Sequence, residues 1–126
     1  MPTIEIKTNK CLSTEEKTLI ADALIDAFAR ASDPIVANNM QVAVEDGCYL
    51  RFHGDSESPA ASVRVNMGRK TPEEDYEAIV REMFVATTGV LGILQDRTYV
   101  AMDVIGHWGY NGGLVKLPPK VAGAQS

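Results

Sequence analysis

Hydrophobic and polar residues alternate at the start of the chain, with Ile4 and Ile6 on one side and Glu5 and Lys7 on the other. That period of two predicts a strand over residues 3–8 with one buried face. The period then changes. Leu19, Ile20, Ala23, Leu24, Ala27 and Phe28 recur every three or four residues, which predicts a helix with one apolar stripe. Ser13-Thr14-Glu15-Glu16 marks its start: the Ser13 hydroxyl can accept from the backbone, and the Glu16 side chain can reach back to it. Asp33-Pro34 sets its end, because the residue before a proline is pushed out of helical geometry. A second apolar strand follows through Met40, Val42 and Val44.

After the loop around Gly54 to Pro59 the same order returns. Val63, Val65 and Met67 alternate with Arg64 and Asn66. Thr71-Pro72-Glu73-Glu74 reads as a second helix start, with Pro72 at the first helical position, where its missing N–H costs nothing. Tyr76, Ile79, Val80, Met83 and Phe84 form its apolar stripe; Thr87 weakens the stripe, and Gly89 is the expected stop. A last strand runs from about Arg97 to Ile105. The pattern therefore predicts two tandem βαβ units, about residues 2–50 and 60–106. Together they give an α/β (α+β) fold with a four-stranded sheet and two helices on one face. One domain is expected over residues 1–115, with an extended tail at 116–126 marked by Pro118-Pro119 and small residues.

The last strand shows Tyr99 and Ala101 on one face and Val100, Met102 and Val104 on the other. Both faces read as apolar, so both call for cover. Two helices shield only one face of a four-stranded sheet. The expectation is that association in a closed symmetric ring shields the other.

Composition narrows the partners. The 126 residues are 45% hydrophobic and 23% charged, which fits one soluble globular domain. A net charge of -5 with no block of like charges argues against nucleic acid or an anionic membrane as the main partner. The first residues have no basic start and no long apolar run, so no secretory signal is read and a cytoplasmic location is expected. Cys11 and Cys48 stand far apart with no second pair, and read as reduced thiols. His53 and His107 have no ligand partners at metal spacing. The glycines from Gly106 to Gly113 precede no helix and lack Lys-Ser or Lys-Thr, so they form no phosphate loop. No Gly-x-Ser-x-Gly elbow or Cys/His pair appears, and no cofactor or metal is expected.

Several short motifs resemble the tautomerase superfamily. Met-Pro-Thr-Ile-Glu-Ile-Lys-Thr-Asn at the start, Phe52-His53-Gly54-Asp55-Ser56-Glu57 and Met67-Gly68 are similar to its macrophage migration inhibitory factor branch. So are Asp96-Arg97-Thr98-Tyr99 and Trp108-Gly109-Tyr110-Asn111, while the end from Gly106 to Gly113 is similar to its 4-oxalocrotonate tautomerase branch. The resemblance covers about residues 2–115 in scattered pieces. It implies a homotrimer built around a barrel of sheets, and keto–enol tautomerisation of a small 2-oxo acid such as phenylpyruvate.

The resemblance also implies roles. Removal of Met1 would free the secondary amine of Pro2 as general base. An amine must be uncharged to accept a proton, and apolar surroundings lower its pKa. Met67, Met102 and Trp108 are the apolar residues expected around it. The Met67 N–H and the Tyr99 phenol, the latter from a neighbouring subunit, would steady the oxygen charge. Trp108 and Tyr110 would wall the mouth. Arg97 matches the catalytic arginine of the 4-oxalocrotonate tautomerase branch and would orient a carboxylate; it also matches an arginine that looks structural in the other branch. Arg64 and Arg69 are weaker candidates. Departures point elsewhere: the pocket lysine of the family is Asp33 here, an asparagine is Ala101, and a cysteine pair is Pro59 and Ser62. The alternatives are a binding or signalling protein with a vestigial pocket, and a hydratase or dehalogenase in which the proline stays protonated.

Overall fold

The computed structural model describes residues 2–32 and 39–115. Met1, Asp33 and the expected tail at 116–126 lie outside them. The alternating start forms β1 (Thr3–Thr8), and the first apolar stripe forms α1 (Thr14–Ala31). β2 (Gln41–Glu45) and β3 (Ala61–Met67) follow, then α2 (Glu73–Leu91) and β4 (Thr98–Val104). A short antiparallel hairpin of β5 (Trp108–Tyr110) and β6 (Gly113–Val115) closes the described chain.

The sheet order is β2-β1-β3-β4. β1 runs parallel to β2, β3 parallel to β4, and the two units meet where β1 pairs antiparallel with β3. Two βαβ units therefore share one mixed sheet, as the repeated pattern predicts. The helices lie side by side on one face. Ile4, Ile6, Val63 and Val65 on that face are buried against Ile20, Leu24, Phe28, Ile79 and Met83. Burial of such side chains is worth roughly 1.5–3 kcal/mol each, which makes this layer the main support of the fold.

The two helices start differently. α1 has the expected capping box: Glu16 N–H donates to Ser13 Oγ at 3.1 Å, and Ser13 N–H to Glu16 Oε1 at 2.9 Å. At α2, by contrast, Pro72 is the N-cap rather than the first helical residue, and no side chain caps the helix. Gly89 is not the stop either. The helix runs through it to Leu91, and Gly92 ends it with φ 69°, a left-handed geometry that glycine adopts at little cost. Thr87, expected to weaken the stripe, is fully buried within it.

The uncovered face departs from the expectation of a second apolar surface. Tyr99 and Ala101 do point to it, but their neighbours across the strands are Ser62, Lys7, Arg64 and Glu5. Arg64 Nη1 pairs with Asp103 Oδ2 at 2.8 Å there, and Asn66 Nδ2 donates to Thr3 Oγ1 at 3.0 Å. Reading β4 alone overstated how apolar this face is. Exposed large apolar side chains on β4, just past it and on the hairpin are Tyr99, Val104, Ile105, Tyr110 and Leu114; others, such as Leu19, Tyr49 and Leu94, lie elsewhere.

Candidate active site

Strand direction sorts the candidate residues into two groups. Pro2 is buried and leads directly into β1. Thr3 pairs with Asn66 on one side and with Gln41 on the other, so Pro2 lies at the end of the sheet where Met67 finishes β3. Alternation along β1 turns Pro2 to the same side as Ile4, toward the helices. Met67 is itself buried and pairs with Val104. Its carbonyl accepts from Ile105 N–H at 2.8 Å, and the carbonyl of Ile105 accepts from Trp108 Nε1 at 2.7 Å. Pro2, Met67 and Trp108 thus belong to one end of the sheet. Within an extended strand the N–H and C=O of one residue point to the same edge, so the Met67 N–H faces β4.

Met102 lies on the same face one side-chain row further in, in line with Ile4 and Val65. It pairs with Val65 and packs, half-buried, against the core beneath the helices. Its spacing along β4 places it on the covered face, where it fills the layer rather than lining an opening.

Tyr99 and Arg97 lie at the opposite end. Tyr99 pairs with Ser62, which pairs with Lys7, four residues along β1 from Thr3. That is about 13 Å along the strands and about 10 Å across them. The Tyr99 ring is 68% exposed and rests on Phe52, with ring centroids 5.0 Å apart. Within one chain it is remote from Pro2.

Arg97 does not serve as a free cation. Its Nη1 donates to the carbonyl of Phe52 at 2.7 Å, its Nη2 to those of Ser58 at 2.8 Å and Asp55 at 3.2 Å, and its Nε to that of Pro59 at 3.2 Å. The guanidinium also lies 5.4 Å from the centre of the Phe52 ring. These partners are 38 to 45 residues away in sequence, whereas the substrate-ligand reading rested on the resemblance to the 4-oxalocrotonate tautomerase branch. Of the two roles the resemblance implies for Arg97, these bonds are of the structural kind.

Sequence reading also passed over what Arg97 holds. Phe52 and Asp55 exchange backbone hydrogen bonds at 2.9 and 3.0 Å around a turn in which His53 has φ 53° and Gly54 φ 73°. Both central residues are left-handed, as a tight hairpin turn of the primed type requires. The Asp55 carboxylate then caps the next turn, accepting from Glu57 N–H at 2.8 Å and Ser58 N–H at 3.1 Å. The Ser58 hydroxyl, these two N–H groups and the charge of Arg97 hold its pKa down at about 2. The Asp-Ser-Glu-Ser run carried a signal for this, since aspartate commonly bonds to its own backbone two residues on.

Arg64 is engaged by Asp103 on the uncovered face. Of the arginines named from the sequence, Arg69 is the one that follows Met67 at the Pro2 end. Among the described residues, no three His, Cys, Asp or Glu side chains come together in a way that could hold a metal ion. No helix among them is long and apolar enough to cross a membrane.

No protein-family model matches the sequence, and no curated protein is significantly similar to it. Solved structures are similar in fold. Leishmania major MIF2 superposes with a TM-score of 0.81 at 22% identity, over 91% of this chain and 97% of that one. Pt0534, solved after inactivation by 2-oxo-3-pentynoate, gives 0.79 at 19% identity, over 88% and 93%. A fused 4-OT, solved as an asymmetric trimer, gives 0.75 at 15% identity, over 87% and 93%. The doubled βαβ plan, the strand order and these likenesses agree: the chain has the α+β fold seen in macrophage migration inhibitory factor homologues and in fused 4-OT.

Proposed function

We propose that this protein is a cofactor-independent tautomerase in which the amine of Pro2 shuttles a proton between the oxygen and the neighbouring carbon of a small 2-oxo acid. The observation that carries the reading is the burial of Pro2 at the mouth of the sheet beside Met67, in a chain with this fold. An ordinary terminal amine has a pKa of roughly 7.7–8.0, and apolar surroundings disfavour its charged form. Neutral Pro2 removes the enol O–H proton and returns it to carbon, giving the ketone. The transient negative charge on oxygen needs donors. The Met67 N–H, at the end of β3 where Pro2 also lies, is the proposed backbone donor, and it would have to exchange its bond to β4 for one to the substrate oxygen. Trp108 would wall the mouth, and Arg69, two residues past Met67, is a candidate cation for a carboxylate. Pt0534 supports a 2-oxo acid as the substrate class, because a compound of that class inactivates a protein of the same fold.

Tyr99 joins this site only from another copy of the chain. Its distance from Pro2 within one chain, and the exposed apolar residues on β4 and the hairpin, support a homotrimer in which each Tyr99 reaches a neighbour's Pro2. A fused 4-OT of the same fold is a trimer. In solution the assembly would then have three times the 13.7 kDa chain mass.

The test is the rate at which the enol of phenylpyruvate decays, followed by ultraviolet absorbance, for the wild type and for Pro2→Ala. A general base contributes about 10²–10⁴-fold, so the variant should lose at least about 100-fold. Equal rates would end the proposal. One observation favours the second reading, a binding protein with a vestigial pocket: Arg97, the expected carboxylate ligand, is fully committed to carbonyl groups. That reading requires both proteins to be equally inactive.

A further inference from the structure

We propose that Arg97 is a positioning residue for Tyr99, acting through the ring of Phe52; this rests on the reading that Tyr99 meets substrate in a neighbouring copy. An exposed tyrosine on an outer strand has several rotamers open to it, and only a neighbour can select one. The neighbour is Phe52, whose ring lies 5.0 Å from that of Tyr99 at 47°. Phe52 is fixed in turn. Its backbone closes the turn with Asp55, its carbonyl accepts from Arg97 at 2.7 Å, and the guanidinium lies against its ring. The His53 ring meets the Phe52 ring edge-on at 4.5 Å.

The chemistry of the donor explains the choice of residue. Arginine presents a planar fork that can bond several carbonyls at once and still stack on an aromatic ring. Lysine carries the same charge on a compact ammonium with three donors and no planar face, so it cannot reach all four carbonyls from one plane and stack on the ring as well. The arrangement places the phenol before a second chain arrives, and misplacing a substrate-contacting group by about 1 Å can cost up to 10²-fold in rate.

The experiment compares wild type, Phe52→Leu, Arg97→Lys, Tyr99→Ala and the Phe52→Leu/Tyr99→Ala double variant. Enol decay gives kcat and KM, and the Tyr99 ring signals, identified by their loss in Tyr99→Ala, are followed by proton NMR. Phe52→Leu should lower kcat/KM about 3- to 10-fold in the wild type and less than about twofold once Tyr99 is absent. The Tyr99 ring signals should move in Phe52→Leu and in Arg97→Lys. Unchanged Tyr99 signals in Phe52→Leu would overturn the inference whatever the activity, and keep it decidable if Arg97→Lys fails to fold. An equal loss with and without Tyr99 would also overturn it, because Phe52 would then act on the fold alone. If Pro2→Ala abolishes turnover but Tyr99→Ala does not change it, the inference falls while the assignment of Pro2 stands.

Discussion

At the Tyr99 end of the sheet, polar groups from distant segments hold one another. Thr8 Oγ1 donates to the Ala60 carbonyl at 2.8 Å, Ala60 N–H to Asn9 Oδ1 at 2.8 Å, and Asn9 Nδ2 to the Ser58 carbonyl at 2.8 Å. Lys10 Nζ reaches the last carbonyl of α2 at 2.6 Å, Leu12 N–H donates to Asp46 at 2.8 Å, and Arg97 gathers the 52–59 loop. The Pro2 end has directional bonds too: Asn66 Nδ2 donates to Thr3 Oγ1 at 3.0 Å, Thr71 N–H to Tyr76 Oη at 3.2 Å, and the Ile105 and Trp108 bonds brace Met67. There α2 begins without a side-chain cap. The difference lies in the helix and the loop: at the Tyr99 end side chains tie α2 and the 52–59 loop to distant segments, while at the Pro2 end α2 starts uncapped beside buried Pro2 and Met67. A ring amine that must stay uncharged belongs in the second setting, since hydrogen-bonding acceptors would stabilise its ammonium form.

The sharpest way to break this contrast is covalent. Retaining Met1 turns the Pro2 nitrogen into an amide without a basic lone pair. Enol turnover should then fall to the buffer rate, at least about 100-fold, while the fold stays intact. Enol decay and circular dichroism on protein whose intact mass shows Met1 present make the check; full activity with Met1 attached would refute the role of Pro2.

The opposite end should break differently, in stability. Arg97→Ala strands the carbonyls of Phe52, Asp55, Ser58 and Pro59 around a side chain that is only 11% exposed. Charged hydrogen bonds contribute roughly 1.5–3 kcal/mol each, and water re-solvates part of an outer loop, so the net cost should be about 2–4 kcal/mol. Urea unfolding measures it. A loss under about 1 kcal/mol would show that the loop does not depend on Arg97.

Smaller again is the contrast between helix starts. Ser13→Ala at the bonded end removes one half of a capping box and should cost about 1 kcal/mol. Thr71→Val at the Pro2 end keeps its volume and loses no cap, so it should cost less than about 0.5 kcal/mol. Equal costs in thermal unfolding would show that Thr71 caps α2 after all.

What the sequence disclosed follows the same division. The Ser13 box, most of the apolar stripes and the strand alternation act over a few residues, so they were legible; Leu19, read into the α1 stripe, is 60% exposed instead. Gly89 was mistaken for the stop because a glycine inside a helix and one just past it look alike until packing decides. Thr87 and the turns beyond it are held by burial against the sheet, which carried α2 on to Gly92. For Arg97 both a substrate-binding and a structural role stayed open because its partners are far away in sequence, and Phe52 gave no local sign of supporting Tyr99. The uncovered face was misread because Tyr99 and Ala101 were weighed without the strands beside them. Registers with Lys7, Arg64 and Glu5 are tertiary facts.

The finest test concerns Asp55. Its carboxyl is held at about 2 in the folded chain, chiefly by the Ser58 hydroxyl and then by the Glu57 and Ser58 N–H groups. An unfolded aspartate titrates near about 3.9. As pH falls below about 4, the unfolded chain takes up this proton first and gains relative to the folded one. The contribution of Asp55 is therefore full above roughly pH 5 and drains away as pH falls toward about 2. Asp55 lies at the surface, where water and salt weaken the effect, so it is ranked last. Glu16 and Asp46 are lowered as well, by backbone N–H groups of Ser13 and Leu12, so the wild type alone cannot isolate Asp55. The difference between wild type and Asp55→Asn can. It should be constant above pH 5 and shrink between pH 4 and pH 2, because both chains then carry an uncharged group at that position. A difference that stays level down to pH 2 would mean that the 52–59 turn is held by Arg97 without help from the carboxylate.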